Sequence, residues 1–398
     1  MTAALRHNLH ISSPVSQTRI PDPKTADPWV EVIAGALQNN VRELHRFTKR
    51  PLLAVAKNNA NGVGIRQVGP ILDGLPEVYG LAVVRVDEAL ALREMGVVKP
   101  ILMMAHAVGE EAEVLARSGV RLTPFHDDSV EWLAVLANKL GAPVPIHTFV
   151  DTGMNRIGMP YERAVNWISG LASSGVATIE GAYTMFSGAE RDGEAFDLEH
   201  LRRFVSVVSE CRQMGIDLGL LHGAPSFQTV HMPTTHKLDL IRPGGAIYGL
   251  QGYRNDATGK EVMDLQPVYR LRARIVRVEQ LTPGEGVSFH HRYRADEPTW
   301  IATVPIGHTD GYPREAVGTT LALVGETLYP VVAVVSSNHT ILEIGGSKTV
   351  NVGDIATLIG PDRDEITSDR VARNSGLDRD SWLTTKLNPF LHRVVVER

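Results

Sequence analysis

The alternation of short apolar runs with longer amphipathic segments between residues 28 and 250 is the feature that most constrains the fold of this chain. Eight apolar runs of strand length follow one another at 52–57, 79–84, 100–104, 120–123, 146–151, 179–184, 218–222 and 238–241. Between them, apolar residues recur at three- and four-residue spacing, most clearly at 86–95, 108–118, 129–140 and 198–214. Eight strand–helix units over about 220 residues predict an α/β fold with a TIM-type (β/α)8 barrel. The alternative is an open doubly wound sheet.

After about residue 250 the pattern changes to short alternating runs separated by glycine and proline. These runs lie at 268–278, 300–304, 321–324, 331–335, 340–344 and 355–358. Such a pattern predicts a smaller, mostly antiparallel β domain. We therefore divide the 398 residues into a flexible N-terminal arm (1–27), the barrel (28–250) and a C-terminal β domain (251–398).

Composition and charge argue against several classes of protein. The chain has 40 Lys and Arg against 45 Asp and Glu, a formal charge of -5, which offers no basic surface for a nucleic-acid backbone. Its one cysteine, Cys211, can form neither an internal disulfide nor a cysteine-based metal cluster. The sequence has no apolar stretch of the roughly 18–20 residues that a membrane helix needs, and its N-terminus has no continuous apolar segment typical of an export signal. We expect a cytoplasmic protein without nucleic-acid or membrane partners.

The sharpest local feature is the segment AVAKNNANGVG at 54–64, in which an apolar run ends in Lys57. An ammonium group at the end of a buried strand costs free energy unless it finds a partner or its pKa falls. A lowered pKa is what an imine-forming amine needs. Asp151, His222 and Arg242 also stand at strand ends. Because the C-terminal strand ends of a barrel converge on one mouth, these polar groups are candidates for chemistry.

Four segments, in order, resemble signature segments of the alanine racemase family. They are 54–64, DTGMNRIG at 151–158, IRPGGAIYGL at 241–250 and ATVPIGHTDGYPR at 302–314. The resemblance implies a fold-type III enzyme with pyridoxal 5′-phosphate in the barrel mouth, an amino-acid substrate and a head-to-tail homodimer. In that dimer the β domain closes the barrel mouth of the other subunit. The residues that would act there are Phe289, His290, Asp310 and Tyr312.

The resemblance also implies roles for individual residues. Lys57 would hold the cofactor covalently and exchange protons with the substrate α-carbon. Arg242 would donate a hydrogen bond to the pyridine nitrogen, and Arg156 would lie near the cofactor phenolate and the substrate carboxylate. His222 would pack against the cofactor ring. The phosphate would be held by a hydroxyl and by backbone N–H groups, from Ser226, Gly244 and Gly245.

The chain departs from the family pattern around the substrate. In the family, the second residue that exchanges a proton is a tyrosine after Gly-Val-Ser. This chain has Phe289 at that position, and a phenyl ring cannot exchange a proton. The position of the family's histidine that orients this tyrosine is occupied by Met185. The position of the family's lysine beside the arginine is occupied by Phe149. Where the family has a Met-Asp-Gln segment, this chain has Ser-Asn-His at 337–339. Where the family has a tyrosine that faces the phosphate, this chain has Asn61. We therefore predict a substrate other than alanine, in a pocket formed by Phe149, Met185, Phe289, Ser337 and Asn338.

Three functions follow from these residues. The first is an amino-acid racemase or epimerase in which a histidine serves as the second base. His290, next to Phe289, is preferred over His291 and His308. The second is a pyridoxal-phosphate-dependent lyase acting by retro-aldol cleavage, β-elimination or decarboxylation. The third is a non-catalytic pyridoxal-phosphate carrier, which would have no use for a C-terminal domain. The chain does not show the His and Cys pair of zinc-dependent relatives, so we predict no metal.

Overall fold

The computed structural model describes residues 27–188, 194–253, 255, 259–378 and 381–398. The arm predicted at 1–27 lies outside these ranges except for Asp27. The strands of the N-terminal half are β1 (Trp29–Ile33), β2 (Leu52–Val55), β3 (Val78–Val83), β4 (Ile101–Met103), β5 (Val120–Arg121), β6 (Val144–Asp151), β7 (Met159–Pro160), β8 (Ala177–Tyr183), β9 (Leu220–Gly223) and β10 (Leu240–Ile241). Its helices are α1 (Ala34–Thr48), α2 (Lys57–Asn61), α3 (Ile65–Asp73), α4 (Val86–Glu94), α5 (Gly109–Arg117), α6 (Ser129–Leu140), α7 (Tyr161–Ser174), α8 (Glu194–Gln213) and α9 (Ser226–His231).

Eight parallel strands form a closed barrel in the order β5-β4-β3-β2-β10-β9-β8-β6. The barrel closes just after β5, where Leu122 pairs in parallel with Ile146 of β6. Leu122 N donates to Pro145 O at 3.1 Å, and Leu122 O accepts from His147 N at 2.9 Å. Each strand lies where the sequence pattern placed it. The structure thus confirms the (β/α)8 barrel and rules out the open sheet, because in an open sheet the segment after β5 would not pair with β6. Strand β7 pairs only with the end of β6.

The C-terminal half is an antiparallel-rich β domain, as predicted. Its strands are β11 (Tyr269–Arg274), β12 (Arg277–Leu281), β13 (Gly286–Val287), β14 (Tyr293–Arg294), β15 (Thr299–Val304), β16 (Leu321–Val324), β17 (Thr327–Val332), β18 (Thr340–Gly345), β19 (Ile355–Ile359) and β20 (His392–Val396), and its helices are α10 (Ser368–Asn374) and α11 (Ser381–Thr385). The sheet order is β12-β15-β18-β17-β16-β19-β11-β1-β20. Only β1 and β20 pair in parallel. In the described ranges no helix is long and apolar enough to cross a lipid bilayer.

Three local predictions need correction. Strand β1 falls inside the segment predicted as barrel, yet it pairs with β11 and β20 of the C-terminal sheet. Its side chains are buried on both faces of the strand. Both of its edges are paired with strands of this sheet, β11 on one side and β20 on the other. The run 268–278 forms two strands, β11 and β12, rather than one. The strand predicted at 331–335 ends at Val332, because Ala333 adopts a positive φ of 62° that a strand cannot continue.

The junction between the two domains is held by α1. The buried side chain of Asn40 donates to Ile247 O at 3.0 Å and to Gln266 O at 2.7 Å, and it accepts from Gln266 N at 2.7 Å. Gly249, in the same crossing, has a φ of 71°, and a Cβ atom there would lie 1.9 Å from Gln266 O. The chain can therefore pass from the barrel to the β domain at this point only with glycine.

We expect Gly249→Ala to destabilise the protein more than the matched change Gly284→Ala. Both glycines have a positive φ, but nothing lies within 4 Å of a Cβ at Gly284. Gly284→Ala should cost about 1 kcal/mol of unfolding free energy, the penalty of the left-handed region. Gly249→Ala should cost about 1–3 kcal/mol more, because it also forces a backbone overlap. Urea unfolding midpoints measure the difference, and equal midpoints would show that the junction is not tight.

Candidate functional site

A cavity of about 370 Å³, the barrel cavity, lies at the mouth of the barrel. Its volume lies within the usual range of small-ligand sites, about 300–1,000 Å³. The predicted site residues that line it are Lys57, Phe149, Arg156, Met185, Ser226, Arg242, Gly244 and Gly245. Among the described residues of its wall there is no carboxylate. The two arginines therefore give the cavity a positive potential that favours anionic ligands.

Lys57 begins a short turn, α2, whose backbone is left-handed. Residues 58–61 all have φ between 52° and 57°, a region in which asparagine is tolerated better than most residues. Three of the four are asparagine. The buried carboxylate of Glu88 anchors the turn from α4: its Oε1 accepts from Asn59 N at 2.9 Å, and its Oε2 accepts from Val84 N at 3.3 Å. This anchor places Lys57 in the cavity wall with its side chain accessible.

The C-terminal domain holds the same turn from the other side. Arg393 donates to Gly62 O at 2.9 Å and to Val63 O at 3.0 Å. Asn61 Nδ2 donates to Thr384 Oγ1 at 3.2 Å, so its side chain faces the β domain. Gly62 has a φ of 88°, and a Cβ there would lie 1.9 Å from Thr384 O. Both domains therefore determine where Lys57 lies. The sequence pattern did not reveal Glu88, Thr384 or Arg393, because each is remote from the lysine segment.

The surroundings of Lys57 favour the neutral amine. Burial lowers the pKa of Lys57, and the charges of Arg156 and Arg242 lower it further, whereas Glu88 opposes the shift. The direction is the one predicted from the position of this lysine at the end of an apolar strand. A larger fraction of neutral amine makes Lys57 a better nucleophile and proton acceptor than an ordinary surface lysine.

Arg242 is almost completely buried, at 2% exposure. Its Nη2 donates to Thr184 O at 2.8 Å, and its guanidinium carbon lies 4.6 Å from the ring centroid of Tyr183. Burial lowers the pKa of Arg242 to about 10, so the group still carries its proton at neutral pH. Its Nη1 has no hydrogen-bond partner among the described residues. A buried donor without a partner in a cavity wall fits a ligand that brings an acceptor, such as a pyridine nitrogen.

Three aromatic rings form a stack beside Arg242. Phe149 and Tyr183 stack with centroids 4.5 Å apart, and Tyr183 and His222 stack at 4.8 Å. His222 Nε2 forms a 2.8 Å hydrogen bond with His147 Nδ1. Burial lowers the pKa of His222 well below its usual value and that of His147 to about 3, so both rings are neutral. His222 thus lies behind Tyr183 rather than in the cavity wall. Tyr183 was missed in the sequence because it reads as one more apolar strand residue.

Ser226 and the glycine turn after β10 form a small cradle. Ser226 Oγ accepts hydrogen bonds from Gly244 N at 3.0 Å and from Ala246 N at 3.1 Å. A Cβ at Gly245 would lie 2.6 Å from the ring of Tyr253, so glycine is required for this close approach. A serine hydroxyl beside a glycine turn is suited to the oxygens of a phosphate, and the phosphate-binding role of these residues stays a prediction.

Arg156 lies on a loop shaped by Asp151. Asp151 Oδ1 accepts from the backbone N–H groups of the next turn, at 2.9–3.2 Å. Arg156 follows this turn, is exposed at the cavity wall, and has neither a hydrogen bond nor an ion pair within the described residues. Its guanidinium is therefore available for an anionic group of a ligand.

The remaining predicted residues lie in the C-terminal domain. Phe289, His290 and Ser337 line a second cavity of about 680 Å³, which shares no lining residue with the barrel cavity. Phe289 is 67% exposed. Asn338 lies beside Ser337, and its Nδ2 donates to Thr309 Oγ1 at 3.1 Å. One chain therefore brings the predicted residues together as two separate groups, one in each domain.

The candidate second bases are not equally placed. His290 and His308 line the second cavity, whereas the ring of His291 packs against Gly286. Asp310 and Tyr312 are buried. Asp310 Oδ2 accepts from Gly307 N at 2.9 Å, and the Tyr312 hydroxyl pairs with Thr320 Oγ1 at 2.8 Å. Within one chain their side chains therefore stabilise the C-terminal domain from inside, and their action on another subunit stays a prediction.

Known proteins match this chain over nearly its whole length. Two family models match it, the alanine racemase N-terminal domain at residues 32–252 and the alanine racemase C-terminal domain at 268–395. The alanine racemase of Methanococcus maripaludis is 31% identical over 342 residues, covering 85% of this chain and 90% of the relative. That of Synechocystis is 31% identical over 370 residues, covering 92% of this chain and 97% of the relative.

Solved structures share the same fold. The alanine racemase of Clostridium difficile 630 superposes with a TM-score of 0.85 at 25% identity, covering 94% of this chain and 96% of the other. The Bacillus anthracis alanine racemase with bound L-Ala-P gives 0.82 at 28% identity, with the same coverage of both chains. The matches include both domains and all four signature segments. This chain therefore belongs to the alanine racemase family.

Proposed function

We propose that this protein is a pyridoxal-phosphate-dependent racemase that inverts the α-carbon of an amino acid. The alanine racemase family uses pyridoxal 5′-phosphate, and the barrel cavity fits this group. The observation that carries the proposal is the pairing of an accessible Lys57 amine of lowered pKa with the unpartnered, buried Nη1 of Arg242. The first provides a covalent attachment point, and the second provides a donor for the ring nitrogen.

The chain's own residues divide the work of binding. The bound pyridoxal group withdraws electrons from an attached amino acid and so acidifies its α-hydrogen. Arg242 keeps its proton, so it would orient the ring nitrogen without protonating it. The cradle of Ser226 and the glycine turn would hold the phosphate, and Arg156 would bind the substrate carboxylate. Phe149 and Met185 keep water away from this side of the site.

Lys57 moves the proton on one face of the α-carbon. Its neutral amine accepts the α-hydrogen, and its ammonium returns a proton. Inversion requires a second group on the opposite face. Phe289 cannot serve, and we propose His290 for this role, acting from the C-terminal domain of a second subunit. The support is that His290 lies in a cavity separate from its own barrel cavity, so a head-to-tail homodimer would complete the site.

The alternatives have less support. The relatives with matching sequences and structures are alanine racemases, and nothing among them supports the lyase hypothesis. A carrier does not require the second domain, which this chain has at residues 268–395. The prediction that alanine is not the substrate remains a prediction. It rests on the changes at Phe149, Met185 and Phe289.

Incubation of the holoprotein with D- and L-amino acids in deuterated water should give α-deuteration together with inversion. Lys57→Ala should lower the rate about 10²–10⁴-fold, the usual contribution of general acid–base catalysis. Lys139→Ala, on the exposed ion pair with Glu113, is the matched control and should keep the wild-type rate. Chiral chromatography and mass spectrometry measure both products. A keto acid, aldehyde or amine without inversion would contradict racemisation.

Arg156→Ala should raise the pKa of Lys57, because it removes a positive charge that disfavours the ammonium form. At a fixed pH below that pKa, less of the amine is then neutral, so acetylation of Lys57 by acetic anhydride should slow. Mass spectrometry of the cofactor-free protein across a pH series gives the titration curve of this one lysine. Arg163→Ala, in an exposed ion pair with Asp127, should leave the curve in place. An unchanged or lowered Lys57 pKa in Arg156→Ala would contradict the assignment.

Mixing two inactive variants should restore activity if the site is shared between subunits. Lys57→Ala and His290→Ala each leave every homodimeric site incomplete. In the mixed dimer one site has both wild-type residues, so co-refolded protein should regain about one quarter of wild-type activity. If His290 acted within its own chain, the mixture would stay as inactive as its parents. If His290→Ala alone stayed active, the activity of the mixture would not exceed that of this parent because of shared sites. Either result would contradict the shared site.

A further inference from the structure

The second cavity, in the C-terminal domain, is lined by two arginines that the mechanism above does not use. Two arginines and two histidines face it: Arg292, Arg314, His290 and His308. We call it the cationic cavity. No carboxylate belongs to the described residues of its wall, although the whole chain carries a net charge of -5. The local charge is therefore opposite in sign to that of the protein.

Among the described residues, the two arginines have no counter-ion. Arg314 Nη2 donates to His308 Nε2 at 2.6 Å, so its partner is an uncharged ring nitrogen. Within the described residues, neither Arg314 nor Arg292 forms an ion pair. Elsewhere in this domain Arg270 and Arg272 pair with carboxylates at 2.8–3.4 Å. Guanidinium groups that share a cavity without a counter-ion are suited to bind a planar carboxylate, in which two oxygens face two donors.

Carboxylates near this cavity are already engaged. Asp310 accepts from Gly307 N inside the domain, and Glu343 is hydrogen-bonded to the hydroxyl of Tyr293. The 336–338 loop presents hydroxyl and amide groups. Ser337 Oγ lies 3.5 Å from His308 Nε2. These neutral groups add donors and no negative charge, so an anion entering the cavity meets attraction without repulsion.

In the proposed function, the barrel cavity has no cation left for a second anionic group of the substrate. Its guanidinium groups are those of Arg156 and Arg242, and the proposed function assigns them to the substrate α-carboxylate and the cofactor. The wall near the substrate is apolar, formed by Phe149 and Met185. A charged side chain on the substrate would therefore have to be bound from the opposite face. In the proposed homodimer, that face is the partner's cationic cavity.

We infer that the cationic cavity binds the side-chain carboxylate of the substrate, which makes a dicarboxylic amino acid the substrate class of this enzyme. The inference rests on the proposed function and on the head-to-tail assembly. Arg314 is the principal ligand, because His308 holds its guanidinium in place, and Arg292 is the second. His308 acts through Arg314 as a positioning residue.

The test compares acids with their amide isosteres. Asparagine has nearly the shape of aspartate, and glutamine nearly that of glutamate, but neither amide carries the side-chain charge. The wild-type holoenzyme should favour the acid in kcat/KM by about 10–100-fold, the factor expected for charge-assisted hydrogen bonds. Arg314→Leu should bring the acid-to-amide ratio close to one, chiefly by raising KM for the acid. Arg314→Lys should recover part of the ratio, and Arg363→Leu, an exposed arginine outside the cavity, should keep it.

Failure of this inference and failure of the proposed function give different results. Equal kcat/KM for acid and amide, or a ratio unchanged in Arg314→Leu, overturns the inference while α-hydrogen exchange still supports the racemase. If no amino acid exchanges its α-hydrogen, the racemase proposal fails. Calorimetry with succinate then decides the anion site by itself. Binding that weakens at least about 10-fold in Arg314→Leu supports it, and no binding to the wild-type protein overturns it.

Discussion

The left-handed turn after Lys57 is the constraint on which the rest of the site depends. A left-handed backbone costs roughly 1–2 kcal/mol for each ordinary L-residue and less for asparagine, and here it extends over residues 58–61. It persists because Glu88 holds it from the barrel while Arg393 and Thr384 hold it from the β domain. The position of the amine is therefore a property of both domains. The β domain is part of the site even within a single chain.

The charges in the barrel mouth favour a neutral amine on Lys57, because its charged neighbours in the cavity are arginines. Lys57 shares its cavity with Arg156 and Arg242, and no carboxylate stands in the described wall. The ionised form of Lys57 is disfavoured for that reason as well as by burial. The stacked rings beside Arg242 are neutral, so they add no competing charge. The same field that lowers the lysine pKa would also attract the phosphate and carboxylate groups of the proposed ligands.

The departures from the family pattern form two coherent groups in space. Phe149 stacks on Tyr183, and Met185 contacts Arg242, so the barrel side of the substrate site is apolar and closely packed. In the C-terminal domain, His290 and His308 share a cavity with arginines. In the proposed function, Lys57 thus acts from the barrel, and the histidines and arginines of this second cavity act from the β domain. If so, the substrate side could change while the barrel residues proposed to bind the cofactor stay the same.

Patterns within the amino-acid sequence were enough to predict the eight barrel strands, the antiparallel second domain and a set of residues, from Lys57 to Gly245, that line one cavity. These features depend on periodicity and on contiguous motifs, which are local in the chain. Only the tertiary structure decided the closure at Leu122 and the transfer of β1 to the C-terminal sheet. It alone also placed His222 behind Tyr183, anchored the lysine turn on Glu88 and brought Arg314 against His308. The physical reason is that pairing across a sheet, burial of a ring and the field of unpaired charges arise between segments far apart in sequence, and no local pattern specifies them.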